Sequence, residues 1–324
     1  MAFFPVRRVV TGFDPDGREV LTHDGAPPNT VDVGPVGVSE VLWCETGTVH
    51  VADDPDRTTQ GYPLEPPPGG ASVRVIRMPG IPPGTDHDDT WLRVETEDPA
   101  TPGMHATDTL DLMVVLEGAV VMGLEDGSER TLEAGEYVVQ RGTLHRWRPA
   151  DHRGWTYMVA MLRPDPSAAE PTGEIGLATT GASPVRRVVT GAPVLDGGAF
   201  GAMGGESATL TDIWHTGGPL RSPEQGGDLA GGWALEPPPG GASLRQVQLA
   251  PNTPDESAMW HATATIDVDV ILRGSVRLDL PDGVSTVLEP GDVVVQRGTN
   301  HRWVALDEGM TMASIMIAAE VAPR

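Results

Sequence analysis

At 324 residues the chain is long enough for two domains, and its formal net charge of −24 argues against nucleic acid and anionic membrane surfaces as partners. All 22 basic residues are arginine, which excludes lysine Schiff-base and pyridoxal-phosphate chemistry, and the single cysteine, Cys44, excludes an internal disulfide framework. No apolar stretch is long enough to span a membrane and the start, MAFFPVRRVV, lacks the apolar core of a secretory signal, so a cytoplasmic protein is expected.

The chain repeats itself. PVRRVVTG at 5–12 returns at 184–191, LEPPPGGAS at 64–72 returns at 235–243, and VVQRGTLHRW at 138–147 returns as VVQRGTNHRW at 294–303. Identity over such blocks marks tandem duplication of a domain. It predicts a first domain over 1–163, a small polar linker over 164–183 and a second domain over 184–324. The opening PVRRVVTG block is expected to pair, either the two copies with each other or two chains in a homo-oligomer.

In chain order, Cys44 comes first, in VLWCETG, where the second copy has DIWHTGG with His215; a buried structural thiol is expected. LEPPPGGAS follows as a rigid polyproline entry to a strand. Between Ser72 and His105 the first copy is longer, with a stretch rich in Asp, Pro and Gly that reads as a lid or as a surface loop. Its His87, Asp88 and Asp89 are expected to be solvated. Strand-like runs fall around 73–78, 110–116, 119–124, 137–140 and 155–162, and again around 244–249, 266–273, 275–280, 292–296 and 310–317. Asp126-Gly127 and Asp282-Gly283 supply hairpin turns, and no strong amphipathic helix is found. An all-β fold follows.

His105, Asp111 and His145 recur as His261, Asp267 and His301, each displaced by 156 positions. Side chains alternate across a strand, so His105, Thr107 and Asp111 share a face, and a hairpin can return His145 to the same interior. Two imidazoles and one carboxylate suit Fe(II), Mn(II), Ni(II) or Zn(II) with positions left open. The competing reading is of interior histidines hydrogen-bonded to aspartates, without metal.

HATDTLDLMVVLEG at 105–118 and GEYVVQRGTLH at 135–145 resemble the two sequence motifs of the cupin superfamily, and their return at 261–274 and 291–301 makes the chain similar to a bicupin. The resemblance implies two tandem double-stranded β-helix (jelly-roll) barrels, each with a metal site at its centre. It carries over as metal ligands His105, Asp111 and His145 in the first barrel and His261, Asp267 and His301 in the second, with iron the leading metal and manganese, nickel and zinc as alternatives. Thr107 and Thr263 stand where the family has a second histidine, Asp111 and Asp267 where it has glutamate, and Arg141 and Arg297 where it has proline.

Three further residues are candidates for chemistry. Asp108, which faces Ala264 in the alignment of the copies, reads as a fourth ligand or general base, or as a turn-stabilising residue. Strand parity with His145 and His301 points to Arg141 and Arg297 as clamps for a substrate carboxylate or enolate, against the reading of surface arginines. The expected function is a metal-dependent bicupin enzyme acting on a small organic molecule, a dioxygenase in its leading form. The alternatives are a redox-neutral isomerase, cyclase or decarboxylase, and a small-molecule-binding cupin without metal.

Overall fold

The segments that carry the histidine motifs, LDLMVVLEG and TIDVDVILRG, are rich in Leu, Val and Ile and place apolar side chains on both faces, the pattern of a strand covered on both sides. In the structure, a computed structural model, they become two long strands, Leu110–Leu124 and Thr265–Asp279, around which the rest is built. The structure describes residues 5–33, 35–45, 58, 63–86, 90–93, 98–171, 175–176, 183–199, 201–204, 207–229, 234–252 and 254–320. His87, Asp88 and Asp89 lie outside them. Apart from one 3₁₀ turn at Pro281–Gly283, the described residues form strands and connections. Among them no helix is long and apolar enough to cross a membrane.

The strands form two large sheets, one of ten strands built on the first repeat and one of nine built on the second, as two jelly-roll barrels in tandem. Each long strand bends at a glycine with positive φ, Gly118 (φ 75°) or Gly274 (φ 68°), so its two halves serve opposite walls of one barrel. The sequence runs expected at 110–116 and 119–124 are therefore one bent strand. Hairpins close where Asp-Gly pairs predicted them: Leu110–Leu124 pairs with Glu129–Glu133, and Thr265–Asp279 with Ser285–Leu288.

Alternation sorts the core into three parts. Met113, Val115, Met122 and Trp147 fill the first barrel, Ile271, Leu278, Val294 and Met312 the second. The opposite faces of the same strands, among them Leu112, Val114, Val268 and Val270, join in a third core between the repeats. That central core binds the repeats into one body.

The opening strands are exchanged. Arg8–Phe13 runs parallel to Val293–Arg297 of the second barrel, and Arg186–Val189 runs parallel to Tyr137–Arg141 of the first. The PVRRVVTG block thus pairs the copies with each other, and Val9 and Val188 enter the other repeat's interior.

Candidate functional site

Each barrel interior has one polar end, built from the motif residues. In the first, His105 and His145 meet across an isolated antiparallel bridge in which each backbone N–H donates to the other's carbonyl at 2.9 Å. The bridge sets their rings side by side, with centroids 4.4 Å apart and planes tilted by 54°. His105 Nδ1 lies 2.8 Å from Gly103 O and His145 Nδ1 lies 2.9 Å from Thr143 O. A carbonyl only accepts, so each Nδ1 is the donor, and in a neutral ring Nε2 holds the lone pair. Burial, and then the neighbouring His105, push His145 down to about 4, so its ring is uncharged near neutrality.

The second barrel repeats this pair closely. The His261 and His301 rings are 4.3 Å apart, their Nδ1 atoms face Met259 O and Thr299 O, and His301 is pushed down to about 3 by burial and His261. Trp147 and Trp303 pack edge-on against His145 and His301 at 5.5 and 5.7 Å, which fixes the ring planes.

Asp111 is buried and bound to hydroxyls. Thr109 Oγ1 donates to its Oδ1 at 2.5 Å, and Thr107 Oγ1 lies 3.4 Å from its Oδ2. The second barrel has the same arrangement, with Thr265 and Thr263 on Asp267 at 2.5 and 3.2 Å. Burial raises the Asp111 carboxyl to about 7, with the threonine hydroxyls opposing and the charge of Glu65 adding to the rise. Asp267 is raised to about 6, again by burial first, with Glu236 adding. Both carboxyls can therefore exchange a proton near neutral pH.

The structure brings the two histidines of each expected trio together, while the aspartate is taken up by the threonines two and four positions before it. Among the described residues no three His, Cys, Asp or Glu side chains are grouped so as to hold a metal ion. The donor set that the sequence suggested is thus not closed: the imidazole pair suits a metal, and the shorter carboxylate does not join it.

The other candidates lie elsewhere. Asp108 has an 88 % exposed side chain 3.9 Å from Arg163 Nη2, outside the barrel interior. Arg141 pairs in register with Leu110 of the central core and donates to the Glu224 carbonyl over the Trp214 ring, away from His145. The parity count fails because Gly142 (φ 63°) opens a turn before His145. Arg297 is opposite Ile266, also of the central core, and its backbone N–H donates to Thr11 Oγ1 at 3.1 Å. The long loop of the first repeat seats Trp91 on this barrel, with the Arg146 guanidinium 3.9 Å from the ring centroid and Leu92 N donating to Trp147 O.

Two interior arginines escaped the sequence reading, and one acid that it aligned with Met113 is buried rather than outward. Arg74 and Arg245, each one turn of the alternation past LEPPPGGAS, are buried and paired with Glu40 at 2.8 Å and Asp212 at 2.6 Å. Each also donates to the carbonyls where the LEPPP run begins, Pro63 and Leu64 or Ala234 and Leu235. The signal was present in the repeated ASVR and ASLR. Asp269, two residues after Asp267, is buried, has one oxygen without a partner among the described residues, and is raised well above the carboxylate range by burial and by Asp267. It gives the second barrel an acid where the first has Met113.

No family model matches the chain. It is 36% identical over 85 residues to "Oryzines biosynthesis cluster protein J" of Aspergillus oryzae, 26% of this chain and 46% of that one. It is 30% identical over 107 residues to the "Cupin-domain-containing oxidoreductase virC" of Hypocrea virens, 31% of this chain and 52% of that one. The match thus spans about half the length of these relatives. Among solved structures, AerE from Microcystis aeruginosa overlays with a TM-score of 0.48 at 10% identity, over 89% of this chain and 96% of that chain. The chain thus combines local similarity to cupin-domain oxidoreductases with a fold of two jelly-roll barrels.

Proposed function

We propose that the chain is an oxidoreductase of the cupin kind that takes a small organic substrate at the polar end of a barrel. The observation that carries this reading is the recurrence, in both barrels, of an imidazole pair with both Nδ1 atoms tied to backbone carbonyls and of a buried aspartate held by two threonines. Relatives named as cupin-domain oxidoreductases, and one named for a biosynthesis cluster, support oxidation of a small metabolite. Each imidazole Nε2 offers a lone pair to substrate, and Asp111 or Asp267 can hold or give up a proton close to neutral pH.

Electrons are a separate requirement. Histidine, aspartate and threonine move protons and carry no electrons, so oxidation needs an outside acceptor. In the dioxygenase form of the proposal the acceptor is molecular oxygen, which a redox-active divalent metal held by the imidazole pair, iron before manganese or nickel, would activate; zinc there would supply only Lewis acidity. The proton transfers described above require no metal. The same groups support a second reading, a redox-neutral isomerisation, cyclisation or decarboxylation, and the extra acid Asp269 in the second barrel favours it there.

The experiment is metal analysis of protein produced with added iron or manganese, run beside oxygen uptake with candidate small-molecule substrates. Uptake that is lost in His145→Ala or His301→Ala supports the oxidoreductase. Turnover with no oxygen uptake transfers the case to the redox-neutral reading, and ligand binding with no turnover to a binding module.

A further inference from the structure

The two repeats differ by one charge at equivalent places, and the difference faces a cavity. Glu65 and Glu236 are the same position of the LEPPPGG block. Arg163 and Ala318 also correspond: each follows the residue that pairs with the first alanine of the next strand, Leu162 opposite Ala71 and Ile317 opposite Ala242. Each donates its backbone N–H to the block's second glycine, Arg163 to Gly70 O at 3.0 Å and Ala318 to Gly241 O at 2.8 Å.

In the first repeat the Arg163 guanidinium lies 3.6 Å from Glu65 and 3.9 Å from Asp108. In the second, alanines replace both the arginine and Asp108, as Ala318 and Ala264. Glu236 is left with no hydrogen bond or ion pair among the described residues. It borders a cavity of about 660 Å³ between the repeats, together with Ala264 and Ala318 on its own side and Leu162 and Arg163 on the other. That volume is in the range of small-molecule pockets. Leu220 and Ile317 add apolar wall.

We propose that this cavity binds a small organic cation, an ammonium or guanidinium group on an apolar body, with Glu236 as its counter-ion in the position that Arg163 takes beside Glu65. The first repeat shows the cation that this carboxylate accepts, and the two alanines of the second leave space for one supplied by a ligand. An anion is disfavoured, since Arg163 is already matched by Glu65 and Asp108 and the exposed Glu320 adds negative charge at the wall. The cavity adjoins the polar end of the second barrel, since Glu236 acts on the Asp267 carboxyl, but neither His261 nor His301 lines it. The inference does not depend on the reaction proposed above.

Isothermal titration of the full chain with n-hexylammonium chloride, sodium hexanoate and hexan-1-ol tests it. Hexylammonium is expected to bind at least about tenfold more tightly than the other two, as one charge-assisted contact provides. Glu236→Gln, which removes the charge, and Ala318→Arg, which supplies the first repeat's guanidinium, are each expected to weaken it by about tenfold or more. Circular dichroism shows whether each variant is folded, and either one alone decides the question. Equal binding of hexylammonium and hexanol, no measurable binding of hexylammonium, or unchanged affinity in a folded variant overturns the proposal.

Discussion

Thr109 stands two residues before Asp111 on the interior face of the first barrel, and its hydroxyl donates to the Asp111 carboxyl at 2.5 Å. The carboxyl is nevertheless raised, because burial outweighs the hydroxyl and threonine brings no charge. The consequence for stability has a definite sign. A carboxyl raised from 3.8 to about 7 holds its proton more tightly in the folded chain, so its contribution is complete below about pH 4 and is lost as the pH rises to about 7. His145, depressed from 6.5 to about 4, acts oppositely: its contribution is complete above about pH 6.5 and is lost as the pH falls to about 4. Asp111→Asn removes only the first effect. Relative to wild type the variant should gain stability between about pH 4.5 and about pH 7.5, by at most about 4 kcal/mol. Urea unfolding at the two pH values measures this, and an unchanged difference would contradict the raised carboxyl.

Arg74 and Glu40 form a buried ion pair whose side chains are only 6% and 4% exposed. Removing the arginine leaves a carboxylate without its cation and two loop carbonyls, of Pro63 and Leu64, without a donor. Arg74→Met should cost about 3–5 kcal/mol, and Arg74→Met combined with Glu40→Leu should recover much of it. A double-mutant cycle by chemical denaturation checks both, and a double variant no better than the single would locate the cost in the loop contacts instead.

Gly118 and Gly127 both have φ near +80°, at 75° and 80°, yet they should respond differently to alanine. A Cβ at Gly127 meets nothing within 4 Å, so Gly127→Ala should cost only the backbone term of about 1–2 kcal/mol. At Gly118, where the long strand bends, it would sit 2.2 Å from the Gly154 carbonyl oxygen. Backbone on both sides must move, and Gly118→Ala should cost more than about 3 kcal/mol. Thermal unfolding of the two variants gives the contrast directly.

Much of this architecture was legible because alternation and turn chemistry are local. The Asp-Gly hairpins and the nearness of Thr107 to Asp111 needed only short stretches of chain. Arg141 was misread because parity was counted through Gly142, where the chain leaves the strand and the count restarts. The Arg74–Glu40 pair lies 34 positions apart, on strands whose register the sequence does not specify. The capture of Asp111 by Thr109 was not foreseen because the spacing shared by three side chains does not say which neighbour a short carboxylate will reach first.

Strand exchange is the feature that sequence order hides most completely, since Arg8–Phe13 opens the first repeat and completes the second. The buried Arg8, whose Nε donates to Val41 O at 2.8 Å, ties that strand back to its own repeat as well. A fragment of residues 184–324 lacks Val9 and Val10 and exposes the Val293–Arg297 edge; a fragment of residues 1–163 exposes Tyr137–Arg141 in the same way. Bare strand edges beside an uncovered central core favour association over independent folding. Each fragment expressed alone should therefore aggregate or form a dimer, while the two expressed together should form a one-to-one complex. Light scattering after size exclusion reads the masses, and two well-behaved monomeric fragments would show that the exchanged strands are dispensable.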